Sequence, residues 1–165
     1  MMKKVPKVLV LGPAEGPQGE FVKVVSQVKV RSSAGTGEGV VPMHFGRIRF
    51  SEGLDLQVYG ADRERVEVVV EALRVGLIGG LVLFSAQDLE SPEEFRSAVA
   101  HLRKSGIPLT AAAIGNSIDK QAATESLGLH GLRVLNLNSL DKETVKAALL
   151  TVLEGALAST AQTSA

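Results

Sequence analysis

The chain has 165 residues, no cysteine, no tryptophan, and eighteen basic residues balanced by eighteen acidic ones. That length suits one α/β domain, which buries roughly 70% of the surface its unfolded chain exposes. Without cysteine there are no disulfides, thiolate metal sites or cysteine nucleophiles, and without net charge there is no field to draw the chain to nucleic acid or an anionic membrane.

The opening MMKKVPKVLVLG sets lysines before an apolar run. Val8 to Leu11 is too short for a signal-peptide core, and Gly12-Pro13 follows in place of a cleavage site, so the run reads as a first strand. A continuous run of β-branched and leucine residues is the mark of a strand buried on both faces of a parallel sheet. A turn-rich loop, GPAEGPQGE, leads to a short apolar-periodic helix, FVKVVSQV. Arg31 to Gly39, RSSAGTGEG, is small and polar and reads as a mobile loop. His44 to Phe50 and Leu54 to Tyr59 alternate apolar and polar positions around a turn at Ser51 to Gly53, which predicts a hairpin with one half-solvated face at a sheet edge.

Arg63 to Val75 carries Val66, Val69, Val70 and Leu73 at helical spacing. Leu77 to Phe84 is a buried strand. The most apolar stretch, Val75 to Ala86, is only about twelve residues against the ~20 a membrane helix needs, so no membrane insertion is expected. Ser91 and Pro92 open a helix whose inner face is Phe95, Ala98, Val99 and Leu102, and Gly106 stops it. A strand from Leu109 to Ile114, the loop GNSID, a helix from Lys120 to Leu127, and a strand from Leu132 to Leu137 follow. Asp141 caps the last helix. The expected fold is a single α/β domain over residues 1–158, a doubly wound sheet, mostly parallel with one antiparallel edge strand, and a frayed tail over 159–165.

Ligands of such sheets sit beyond the carboxyl ends of the strands, which directs attention to the loops starting at Gly12, Gly60, Ser85, Asn116 and Asn138. Aligned on Gly12, the phosphate-loop pattern GxxxxGK[ST] places its second glycine at Pro17, its lysine at Gln18 and its hydroxyl residue at Gly19. The lysine supplies a cation for the β and γ phosphates and the hydroxyl a magnesium ligand. Glutamine has no charge, glycine has no side chain, and proline removes an N–H from the concavity. Glu15 and Glu20 add negative charge. The alternative is an ordinary glycine-rich strand-to-helix turn.

The stretches GPAEGPQGEF, MHFGRIRF, VYGADRERV and GNSID, in that order, resemble the bacterial Ras-like GTPases related to the gliding-motility GTPases and their Arf-like cousins, over about residues 5 to 158. The resemblance implies a small-GTPase fold with Gly12, Asn116, Asp119, Asn138 and Ser139 as residual guanine-nucleotide positions; the plainer reading of NSID is a helix-capping sequence with Asp119 or Ser117 as N-cap, and Asn138 serves equally well in the turn before Asp141. In the first switch Val40 and Val41 stand where the threonine belongs. In the second, Gly60 is followed by Ala61 and Asp62, and the water-orienting glutamine is absent. Asp62 reads as a helix N-cap in preference to a metal-water ligand.

The first expectation is therefore a catalytically inactive pseudo-GTPase, a regulatory or scaffold subunit in the cytoplasm with no cofactor. Its partner would be a Roadblock/LC7-type dimer or a true small GTPase, met through Val40, Val41, His44, Arg63 and Arg65. For the two arginines, a solvated helix face is the plainer reading. The second expectation is residual binding of GTP or GDP with magnesium, with very slow or no hydrolysis. A receiver-like domain is disfavoured because no acidic cluster follows the first strand. His44, His101 and His130 have no ligand spacing, so no metal site is expected.

Overall fold

A strand with no polar position, such as Val8-Leu9-Val10-Leu11, is stable only between two apolar layers. In the computed structural model, which describes residues 5–13, 16–25, 43–51, 54–115 and 118–163, that strand is β1 (Lys7–Gly12), at the centre of the sheet. In chain order it is followed by α1 (Gln18–Val25), β2 (His44–Ser51), β3 (Leu54–Asp62), a 3-10 turn (Arg63–Arg65), α2 (Val66–Leu73), β4 (Leu77–Phe84) and α3 (Ala86–Glu90). The rest are α4 (Glu93–Lys104), β5 (Leu109–Ile114), α5 (Lys120–Leu127), β6 (Arg133–Leu137) and α6 (Lys142–Thr163). The six strands lie in the order β2-β3-β1-β4-β5-β6. Only the β2/β3 pair is antiparallel. The expected doubly wound sheet with one antiparallel edge strand is the architecture observed.

Alternation sorts the two cores. Leu9 and Leu11 point with Val82, Phe84, Ala111 and Ala113 toward α2, α4 and α5. Val8 and Val10 point with Leu81, Leu83 and Ala112 toward α1 and α6. In β2, Ile48 is fully buried and its neighbours Arg47 and Arg49 are exposed, the pattern of an edge strand with one wet face. Both arginines bond Asp55 of β3, at 3.0 and 2.9 Å, and hold the Asp55 carboxyl below its ordinary range.

Several boundaries differ from the sequence reading. Helix α1 starts at Gln18, ahead of Phe21, and α6 runs on to Thr163, through most of the stretch read as a frayed tail. Strand β3 runs on to Asp62, because Gly60, Ala61 and Asp62 continue the parallel ladder with Val10, Leu11 and Gly12. The following helix starts as a 3-10 turn, and its α-helical part ends at Leu73. A short helix, α3, occupies the stretch read as the loop after Ser85. Asp88 accepts a 2.9 Å bond from the Ser85 backbone N–H, a local closure that starts the helix. Consequently Ser91 follows α3 instead of capping α4, and Pro92 is the α4 N-cap residue. Among the described residues no helix is long and apolar enough to cross a membrane.

Candidate functional site

Parallel pairing of β1 with β3 sets Gly12 beside Asp62, so the loop after β1 and the turn after β3 meet at the carboxyl edge of the sheet. The loop is tightened by a 2.9 Å bond from the Gly16 N–H to the Pro13 carbonyl. Helix α1 begins at Gln18, and the Pro17 carbonyl accepts from the Phe21 N–H at 2.9 Å, so Pro17 stands in the turn just before the helix.

Gln18, at the position of the phosphate-binding lysine, is 2% exposed. Its Nε2 donates to the Pro13 carbonyl at 2.8 Å and to Asp62 Oδ1 at 2.9 Å. Its Oε1 lies against Gly12, where a Cβ would collide with it, and this oxygen is buried with no hydrogen-bond partner among the described residues. Gln18 therefore folds back into the concavity of its own loop. A buried unpaired acceptor is costly, typically about 1–3 kcal/mol, so the two donated bonds and the packing must outweigh it.

Gly19, at the position of the hydroxyl residue, faces the imidazole of His44 from the start of β2. A Cβ on Gly19 would lie 2.8 Å from His44 Nε2 and 2.9 Å from its Cε1. His44 thus fills the space that a serine or threonine side chain would occupy. Asp62 takes the N-cap position of the 3-10 turn without a side-chain cap bond; the bond it makes is to Gln18. The expectation of a capping role for Asp62 is corrected accordingly.

The next residue turns the other way. Arg63 is 4% exposed, and its guanidinium donates to Asp88 Oδ1 at 2.7 Å, to the Leu83 carbonyl at 3.2 Å and to Glu94 Oε1 at 3.3 Å. It also lies 5.3 Å from the Phe95 ring centroid. Arg63 is not part of a solvated helix face; its charge is met from within by Asp88 of α3 and Glu94 of α4. Arg65 is exposed, as expected. The partner of Arg63 was readable in part: Ser85 followed three residues later by Asp88 is a helix-start pattern that could have signalled α3.

The base-side positions divide. Asp119 caps α5, accepting from the Gln121 N–H at 2.9 Å. Ser139 donates to Asp141 Oδ2 at 2.7 Å, and Asp141 caps α6 through the Thr144 N–H at 2.8 Å. These bonds hold the Asp141 carboxyl below its ordinary range, the backbone bond most strongly. Asn138 is exposed. Strands β5 and β6 pair in register up to Ile114 and Leu137, so the loops bearing Asp119, Asn138 and Ser139 emerge side by side, at the same sheet edge as Gly12. Val40, Val41 and Asn116 lie outside the described residues, as does Glu15. Among the described residues no cluster of three metal-ligating side chains occurs.

No family model and no curated protein matches the chain. Solved structures do. The cytosolic FeoB domain of S. thermophilus bound to GDP, in a mutant form, superposes with TM-score 0.67 at 14% identity over 92% of this chain and 62% of that one. Aquifex aeolicus Era, a variant bound to GDP.AlF4-, gives 0.63 at 12% identity over 93% and 57%. The ADP-ribosylation-factor-like small COPII coat GTPase SAR1 from Encephalitozoon cuniculi, in complex with GDP, gives 0.62 at 13% identity over 99% and 85%. The chain spans about three fifths of the length of the Era and FeoB chains it matches. At these identities the likeness establishes the fold, that of the P-loop small GTPases.

Proposed function

We propose that this chain, built on the small-GTPase fold, is a catalytically inactive pseudo-GTPase that acts as a regulatory or scaffold subunit through protein–protein contact. The observation that supports this best is Gln18: the residue at the lysine position is buried in its own loop and bonded to Asp62, so the loop is filled by the chain itself. His44 over Gly19 supports the same reading at the magnesium-ligand position. A triphosphate brought here would meet no lysine and no hydroxyl, and Glu20 sets a negative charge in the first turn of α1, the end of a helix that otherwise favours anions.

A contact surface is available beside the site. A groove of about 220 Å³ between the 3-10 turn, α2 and α4 carries Arg65 and Val68 on its rim, and Val68 is 56% exposed. Following the family resemblance, the partner is a Roadblock/LC7-type dimer or a true small GTPase. Calorimetric titration with GTP and with GDP, each with magnesium, tests the reading. No saturable heat is expected; binding in the micromolar range or tighter that requires magnesium would overturn it.

The second reading is a guanine-nucleotide-binding protein with weak affinity and very slow or no hydrolysis. It is favoured by the convergence of Asp119, Asn138 and Ser139 at the sheet edge that carries Gly12. Under that reading an Asp119→Ala change abolishes any preference for guanine over adenine nucleotides in the same titration.

A further inference from the structure

At the opposite end of the sheet from Gly12, where β4 begins and where the chain enters β5, lies a cleft of about 500 Å³. Its size falls within the range of small-molecule sites, roughly 300–1,000 Å³. One wall is a single face of α2, with Glu67, Val70, Glu71 and Arg74 at successive turns, and the other is the last turn of α4 with His101 and Lys104. The apolar floor is Leu77, Ile107 and Pro108, together with Val70.

The walls are fixed before any ligand arrives. The Leu77 N–H donates to the Arg74 carbonyl at 3.5 Å, the Ile107 N–H to the Leu102 carbonyl at 3.4 Å, and the Gly80 N–H to the Pro108 carbonyl at 3.0 Å. Gly106, at φ +76°, reverses the chain where α4 ends. The rim brings both signs of charge to one opening. Glu67 and Glu71 are acidic, Arg74 and Lys104 basic, and His101 Nδ1 stands 4.0 Å from Glu67 Oε1 across the cleft.

We propose that this cleft binds a small zwitterion with an apolar body, of the class of an aliphatic α-amino acid. Its ammonium faces Glu67 and Glu71, its carboxylate faces Arg74 and Lys104, and its hydrocarbon rests on Val70, Leu77 and Ile107. A molecule with one charge leaves half of the rim unmatched, and an uncharged one leaves all of it.

The test is a nuclear magnetic resonance titration of the isotope-labelled full chain with L-leucine, with isocaproate lacking the ammonium, and with isopentylamine lacking the carboxylate. L-leucine is expected to give saturable shifts at the Val70, Arg74 and Ile107 amides. Each one-charge analogue, and L-leucine with the Glu71→Gln or Lys104→Gln chain, is expected to bind about tenfold more weakly or worse. Absence of saturable shifts, equal affinity for the three compounds, or unchanged L-leucine affinity in both variants would each overturn the proposal. Both substituted side chains are exposed and distant from the loop at Gly12, so the outcome is independent of nucleotide binding.

Discussion

Gln18 and His44 each fill the room that a glycine leaves in the loop and helix start after β1. Gly19 has no side chain, and His44 lies where one would be. A Gly19→Ser substitution is therefore expected to destabilise the chain by about 1–3 kcal/mol, the usual cost of overpacking. With His44→Ala the same serine is expected to be tolerated. A double-mutant cycle in urea checks this, and additive effects would remove the argument. For Gln18→Ala the expected loss is about 1–2 kcal/mol, from the usual worth of a hydrogen bond set against an unsatisfied group. Two donated bonds disappear, at 2.8 and 2.9 Å, but so does the buried oxygen without a partner.

Among the elements, the segment after β3 depends on one side chain. Arg63 joins the 3-10 turn to β4, α3 and α4, and its closest partner, Asp88, is itself mostly buried, with 10% of its side chain exposed. Truncation by Arg63→Ala leaves that mostly buried carboxylate without its cationic partner and is expected to cost about 3–5 kcal/mol. Glu94 is 53% exposed, and an ion pair with so exposed a partner adds little. Arg63→Ala combined with Asp88→Asn is expected to recover part of the loss, read as a shift in the denaturation midpoint. Hydrogen exchange of α2 should rise with it, since the turn that anchors α2 is released.

Helix α6 depends on a second carboxylate. Asp141 has its folded pKa lowered by the Thr144 N–H and by Ser139. The stability it adds is therefore present above its ordinary value of 3.8 and fades as pH falls through the lower folded value. An asparagine in its place would cap without titrating. The Asp141→Asn chain is thus expected to be less stable than the parent at neutral pH and to converge with it on the acid side. Urea midpoints at about pH 7 and about pH 3 decide it. A constant gap across that range would show that the carboxyl is not coupled to the cap.

For the whole molecule, the proposed reading of a site filled from within implies no gain in stability from nucleotide. A ligand at a hundred times its dissociation constant raises stability by about 2.7 kcal/mol. The melting temperature is therefore expected not to move with millimolar GTP or GDP and magnesium; a rise that grows with concentration would favour the second reading.

The order of elements and the layer each strand residue faces were legible in the chain, because periods of two and 3.6 residues are local properties. So was the run Pro17-Gln18-Gly19 after β1, with neither lysine nor hydroxyl, and so were the caps at Asp119, one of two candidates there, and at Asp141, whose partners are two and three residues away. The short helix α3 and the burial of Arg63 were not, since the arginine's charge looked like surface until partners from two later helices were in place. What fills the emptied loop depended on tertiary structure alone. Gln18 bonds Asp62 across 44 residues because β1 and β3 pair in parallel, and His44 reaches Gly19 because β2 pairs with β3. Those contacts follow from strand register, which is settled by the packing of the whole sheet and leaves no periodic trace in the chain.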